Sequence, residues 1–276
     1  MGDRWPEVDR AVSSLLDDDS QSDVVLVLNG VDGPAPEFGD RVRVVALREN
    51  QGVPGGRSAG MQAVDSDVAL VGFLDDDARL ASRGVAATTR EMFRKSTRTA
   101  VVSFRIQDET GATARRHVPR PGHRGFDKGG RVSAFLGGAC VVRRSACDAV
   151  GGYWSDLFYS HEELDLSWRL IDAGHDIVYE PDCLVDHPKT DIARHHDGWH
   201  RTGRNRVWVA RRNLPGAVCL VHTLVWLPTG LLRAPRGCRG DYWRGWLSGW
   251  TRRVERSPMS WRTVLRLTRL GRPPII

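Results

Sequence analysis

The chain has 276 residues, 41% of them apolar and 27% charged, enough to bury one sizeable core with a tail rather than two equal domains. Its net charge of +6 is unevenly divided: residues 201–276 hold 16 Arg against Asp241 and Glu255, a net of +14, which leaves −8 on residues 1–200. Five scattered cysteines without a C-x-x-C pair argue against a disulfide framework or a zinc site, and the opening MGDRWPEVDR lacks the apolar run of an export signal, so a cytoplasmic setting is expected.

Along the chain, helix-like and strand-like segments alternate. Residues 9–16 predict a short helix, 23–28 (DVVLVL) a buried strand and 41–47 (RVRVVAL) another. A Gly-rich turn then leads into a helix at 56–64. Residues 68–74 (VALVGFL) predict a strand that stops at three aspartates, followed by a helix at 82–94 and a strand at 99–106. Residues 109–131, rich in Gly, Pro, Arg and His, predict a long functional loop. Strand returns at 135–143, helix at 162–173 and strand at 176–179. The pattern is that of an α/β fold, a mostly parallel sheet flanked by helices, with ligands at the carboxyl ends of the strands. Such a sheet usually begins with a strand, whereas this chain opens on a helix, so the first strand is expected to be missing. The expected division is a catalytic domain over 1–213 and a helical tail over 214–276.

Three segments carry chemistry. Asp75, Asp76 and Asp77 follow an apolar strand directly, which places carboxylates at the active edge of the sheet, and carboxylate oxygens suit Mg²⁺ or Mn²⁺ shared with substrate phosphates. Asp17, Asp18 and Asp19 repeat the tripeptide after a helix, where a solvated turn is expected, so three aspartates alone mean little. In LRENQGVPGGRSAGMQAV (47–64) the glycines allow close backbone approach, the following helix offers free N–H groups to a diphosphate, and Arg57 adds a forked donor. Residues 56–60 also match G-x-S-x-G formally, but no strand runs into Ser58, which argues against a hydrolase elbow. In HEELDLSWRL (161–170), Glu162 and Glu163 are candidates for removing a proton from an attacking hydroxyl, while Asp165 and Arg169 have the spacing of a simple helix pair.

Taken in order, the N-x-G segment, the strand ending in aspartates, Gly137-Gly138-Ala139 and E-E-L-D-L-x-W-R resemble family 2 glycosyltransferases of the GT-A fold, particularly bacterial rhamnosyltransferase-like members, over roughly residues 9–215. The resemblance implies an inverting, divalent-metal-dependent transfer from a nucleotide-sugar donor. Asp75 and Asp77 would bind metal and nucleotide. Asn29, Asn50, Arg57, Asp76 and Gly138 would line the donor site, and Glu163 would be the base, with Glu162 the alternative. His187, in VDHPKT, would add a metal or phosphate contact, and Arg204, with Asn205, would close over the diphosphate. Leu28 stands where many members have a nucleobase-binding Asp, and Glu163 replaces their commoner Asp.

The tail predicts a surface-bound element. Residues 214–232 are apolar but interrupted by two prolines, two glycines and His222, which favours an interfacial segment over a full crossing. Beyond them Trp243, Trp246, Leu247, Trp250 and Val254 share a helical face, with Arg244, Arg252, Arg253 and Arg256 largely elsewhere, the pattern of a helix lying in an anionic headgroup region. Packing of these tryptophans onto the catalytic domain is the competing expectation. No nucleic-acid module accompanies the basic residues. The leading expectation is therefore a glycosyltransferase at the cytoplasmic membrane face, acting on a lipid-linked or cell-envelope acceptor, with a glycan or small molecule as the acceptor class. The alternative is a non-catalytic relative that binds a nucleotide sugar or a protein partner.

Overall fold

The hydrophobic alternation of residues 24–47 builds two strands, β1 (Val24–Asn29) and β2 (Val42–Leu47), paired in parallel as a separate two-stranded sheet. In this computed structural model, which describes residues 4–31, 33, 36–120, 125–189 and 197–275, a second sheet has six strands. These are β3 (Leu70–Leu74), β4 (Arg79–Leu80), β5 (Thr99–Gln107), β6 (Gly130–Val132), β7 (Ala139–Arg143) and β8 (Asp176–Asp186), in the order β3-β7-β5-β8-β4, with β6 also on β8. The long β5–β8 ladder is parallel, and β3, β4, β6 and β7 join antiparallel to their neighbours.

Helices cover the sheets. α1 (Trp5–Asp18) starts with Pro6 in its first turn and buries Val8, Ala11 and Val12 beside Val24. α2 (Gly52–Ala63) starts four residues before the expected boundary. Its glycines serve contact rather than flexibility: a Cβ at Gly56 would lie 3.1 Å from Asn29 Nδ2, and one at Gly60 would lie 3.3 Å from Val27 Cγ2, so the bare helix face rests on β1. Ser58 is inside this helix, which removes the hydrolase-elbow geometry. α3 (Val85–Lys95), α4 (Arg144–Ala149) and α5 (Glu162–Asp172) follow. Asp17 and Asp18 are the last residues of α1 and Asp19 is its C-cap, in place of the expected solvated turn. The Asp18 carboxylate accepts from Val85 N (3.0 Å) and Ala86 N (2.8 Å), capping α3 from a distance, and Asp19 pairs with Arg90.

β8 runs seven residues past the expected end at Tyr179 because the chain bulges there. Phe104 is opposite Glu180 but Arg105 is opposite Leu184, and Pro181 sits in the irregularity, where its missing N–H costs no ladder bond. The predicted loop at 109–131 contains a 3₁₀ turn at Arg115–His117 and the start of β6, and its residues 121–124 lie outside the described residues.

α6 (Gly198–Asn213), α7 (Gly216–Arg233), α8 (Arg239–Thr251) and α9 (Trp261–Arg269) complete the chain. α6 and α8 meet through glycines: a Cβ at Gly203, Gly245 or Gly249 would overlap the opposite helix. Leu214, Val218, Cys219, Val254, Met259 and Leu267 join the same core cluster as Val101, Leu166, Leu170 and Tyr179, so residues beyond 213 pack on the sheet domain.

Candidate active site

The carboxyl ends of β1, β3 and β8 lie on one side of the molecule, and the candidate residues gather there. β3 is apolar to Leu74, and the aspartates follow in a turn closed by Ala78 N donating to Asp75 O (3.0 Å). Asp75 N donates to Gly138 O (3.1 Å), the residue just before β7. The two glycines of that segment make room. A Cβ at Gly138 would overlap the Asp75 carboxylate, and one at Gly137 would overlap Arg57 and Glu163.

Arg57, reaching in from α2, joins the parts. Its Nη1 donates to Glu163 Oε1 (2.8 Å) and lies 3.7 Å from Glu162 Oε1, while its Nη2 lies 3.5 Å from Asp75 Oδ1. The guanidinium also sits 5.7 Å from the centre of the Tyr153 ring. Burial opposes its charge, but Glu163, Tyr153, Asp75 and Glu162 together hold its pKa well above the ordinary arginine value.

The two glutamates at the start of α5 differ. Glu162 is buried, its Oε2 has no hydrogen-bond partner among the described residues, and burial followed by the adjacent Glu163 carboxylate pushes it up to about 8 despite Arg57. Glu163 is 24% exposed at the side chain and holds the short ion pair to Arg57. Both sit in the first helical turn, where carboxylates complement the helix dipole. The turn that delivers them is strained: Phe158, Ser160 and His161 have φ of 62°, 71° and 75°, a region that costs non-glycine residues about 1–3 kcal/mol each. Buried Asn205 of α6 holds that turn, its Nδ2 donating to the carbonyls of Leu157 (2.9 Å), Tyr159 (2.7 Å) and Ser160 (2.9 Å).

On the other side of Asp75, His187 follows β8. Its Nδ1 is 2.8 Å from Pro188 O, and Nε2 points to Asp77 Oδ1 at 3.3 Å and Asp75 Oδ2 at 3.7 Å. The contact with Asp75 raises the His187 pKa against the effect of burial. Crowding would raise the Asp75 carboxyl, but His187 and Arg57 outweigh it and hold it below the ordinary range. Asp76 is shifted upward by burial, with Arg4 opposing.

Two carboxylates and an imidazole whose Nδ1–H is fixed by a carbonyl are ligand types that suit Mn²⁺ or Mg²⁺. Among the described residues, however, no three His, Cys, Asp or Glu side chains are arranged to hold an ion, so Asp75, Asp77 and His187 are not a complete site by themselves. Substrate phosphates would have to complete the coordination, as is usual for Mg²⁺.

Asn29 and Asn50 shape the edge of the site. Asn29, at the end of β1, accepts from Gln51 N (2.8 Å) and donates to Gly52 O (2.8 Å), and Asn50 Oδ1 accepts from Gly52 N (2.8 Å). Arg204 is not brought to the cluster. Its guanidinium lies 4.1 Å from the centre of the Trp208 ring and donates to Asp156 and Leu157 carbonyls, which gives it a packing role. Asp165 and Arg169 form the expected helix pair, with Arg169 Nε donating to Asp165 Oδ2 (3.0 Å).

Three neighbours escaped the sequence reading. Arg4 donates to Asp77 Oδ2 (2.7 Å) and Asp76 Oδ2 (2.9 Å), and nothing in its polar surroundings signalled that pairing. His117, whose ring centre is 6.1 Å from that of His187, comes from the long loop, and burial lowers it to about 4. Tyr153, beneath Arg57, could have been suspected only from its place in the Gly-Gly-Tyr-Trp segment.

Comparison with known proteins bears on the family and the fold. The family model described as Glycosyl transferase family 2 matches residues 3–151, more than half of the chain. The pre-mycofactocin glycosyltransferase of Mycobacterium tuberculosis is 40% identical over 85 residues, 31% of this chain but only 15% of the length of that protein. Among solved structures, GalNAc-T7 with UDP, GalNAc and Mn²⁺ superposes with a TM-score of 0.60 at 16% identity, over 87% of this chain and 52% of that one. Residues 1–349 of Staphylococcus aureus TarS superpose with a TM-score of 0.58 at 12% identity, over 88% and 75% of the respective chains. At these identities the structures speak for the fold, which is the GT-A type expected. The chain is a member of glycosyl transferase family 2.

Proposed function

We propose that the chain is an inverting, metal-assisted hexosyltransferase that moves a sugar from a nucleoside-diphosphate donor to the hydroxyl of a glycan, lipid-linked or small-molecule acceptor. The observation that carries this reading is the Arg57 guanidinium, which touches both Asp75 on the donor side and Glu163 on the acceptor side. A phosphate-binding cation and a candidate base are thereby held within one side chain of each other. GalNAc-T7, solved with UDP, GalNAc and Mn²⁺, and TarS 1–349, solved with UDP-GlcNAc, supply the precedent for donor and metal.

In this scheme Glu163 takes the proton of the acceptor hydroxyl as its oxygen attacks the anomeric carbon. The bond to the diphosphate oxygen breaks on the opposite face, and the nucleoside diphosphate leaves with the bonding pair. Arg57 orients the Glu163 carboxylate before reaction and would donate to phosphate oxygens of the donor. A divalent ion shared between the donor phosphates and ligands drawn from Asp75, Asp77 and His187 would neutralise charge on the leaving group as a Lewis acid. Glu162, whose pKa is raised by burial and by the adjacent Glu163 carboxylate, favours its protonated form and is the weaker candidate for the base. The non-catalytic alternative draws on Arg4, which already neutralises Asp76 and Asp77.

The test is a melting-temperature screen against UDP, GDP, dTDP and their sugars with Mn²⁺ or EDTA, followed by measurement of nucleoside-diphosphate release. Metal-dependent release stimulated by an acceptor is the expected result. Donor binding without turnover under any metal condition would refute catalysis and leave the binding role.

A further inference from the structure

We infer that the outward faces of α7 and α8 form a docking surface for an anionic lipid bilayer, against which the molecule lies without crossing it. The polarity of α7 is inverted. Leu220, Val221, Leu224, Val225, Pro228 and Leu232 recur at helical spacing on its solvent side, with Leu220, Leu224 and Leu232 exposed to 55%, 54% and 77%. Its inward side carries the polar groups: His222 Nδ1 is 2.6 Å from Pro274 O, and buried Thr223 donates to Cys219 O (2.9 Å). A helix in contact with water places its polar side chains the other way round.

α7 has the length and composition to cross a bilayer. Its contacts oppose that. Val218 and Cys219 belong to the main core, Tyr242 Oη donates to Trp226 O (2.9 Å), and Trp246 Nε1 donates to Thr223 O (3.3 Å), so one side is committed to the folded domain. Only the other side is free to meet lipid.

α8 extends the surface. Its glycine side is taken by α6, which leaves its tryptophans outward. Trp246, bonded to α7, stacks on Trp243 with ring centres 5.9 Å apart and meets Trp250 edge-on at 5.7 Å, joining the tryptophans to the leucine face. Amphipathic rings of this kind settle at headgroup level. The expectation that Val254 shares this face is corrected, because Val254 is in the core.

Charge selects the partner. Arg233, Arg236, Arg239 and Arg253 are exposed and form no ion pair with any of the described residues, within a segment of net charge +14. Each arginine near an anionic leaflet strengthens binding roughly fivefold. A second copy docked symmetrically would bring together two segments of net charge +14, which disfavours self-association as the purpose of the exposed leucines.

The experiment is co-sedimentation of the full chain with vesicles of phosphatidylcholine alone, or with roughly 30% phosphatidylglycerol, across rising NaCl. Binding should be strong only with phosphatidylglycerol and should weaken with salt. The double substitution Leu220→Asp, Leu224→Asp, at exposed positions, should lower partitioning more than about tenfold with an unchanged circular dichroism spectrum. Arg236→Glu, Arg253→Glu should lower it by a similar factor and flatten the salt dependence. As a check independent of variant folding, vesicles with brominated acyl chains should quench the wild-type tryptophan emission, and Trp243→Phe, Trp250→Phe should remove most of that quenching. Equal binding to both vesicle types, absence of quenching, or a dimer broken by the leucine substitutions in a chain that ignores vesicles would each overturn the proposal.

Discussion

Replacing Glu163 by Gln separates the two adjacent glutamates. At Glu163 the substitution keeps the shape but removes the proton acceptor, and loss of a general base costs typically 10²- to 10⁴-fold in kcat, about 3–5 kcal/mol of barrier. Arg57 would keep Asp75 at 3.5 Å and Glu162 at 3.7 Å, so the donor side stays assembled and the KM for the donor should change by no more than a few fold. Glu162→Gln replaces a carboxyl that burial pushes toward its neutral form and whose Oε2 has no hydrogen-bond partner among the described residues. It should leave kcat within about threefold, far below the general-base effect. The assay is release of nucleoside diphosphate from the donor identified by melting, with donor-induced stabilisation measured in parallel on both variants. If Glu162→Gln loses as much activity as Glu163→Gln while both still bind donor, the assignment of the base is wrong.

Asp77→Ala and His187→Ala should each abolish the difference between Mn²⁺ and EDTA in donor-induced stabilisation, because each removes a candidate ligand; an unchanged difference would place the ion elsewhere. Gly138→Ala sets a Cβ into the Asp75 carboxylate, and calorimetry should find metal-dependent donor binding lost at a stability cost of about 1–3 kcal/mol. Asn205→Ala strands the carbonyls of the strained 157–160 turn, which should cost about 2 kcal/mol and lower Tm by roughly 4–8 °C. In that variant kcat should fall more than donor affinity, since the turn delivers Glu163. Glu162 titrates near 4.5 in the unfolded chain and near 8 in the fold, so the folded state holds the extra proton between those values. Stability from this group is fully present below about 4.5 and is lost as pH rises through about 8, and melting curves of Glu162→Gln should show a flatter decline over that window.

The layout of the site was largely legible because its signals are local. A strand period interrupted by Asp75–Asp77, and a helix that starts with Glu162 and Glu163, depend on near neighbours in the chain. Boundaries failed where one residue type serves two ends: the glycines of α2 look like a loop but pack flat on β1, and Pro181 looks like a strand end but sits in a bulge. Arg204 lies on the Trp208 ring and not at the cluster for a related reason. A guanidinium can satisfy a phosphate or an indole ring, and its sequence context does not choose between them.

The sequence by itself determined the α/β class, the carboxylates at the sheet edge and the basic tail, all of them consequences of periodicity and composition. Only the tertiary structure decided which charges meet. Arg57 and Glu163 are 106 positions apart, and Arg4 and Asp77 are 73 apart, pairings that no local pattern encodes. Glu162 likewise became a neutral acid, and α7 a helix with its apolar side outward, only when packing fixed which face each side chain loses to the core. Desolvation and Coulomb energy depend on distance and burial in space, and those are set by the whole fold.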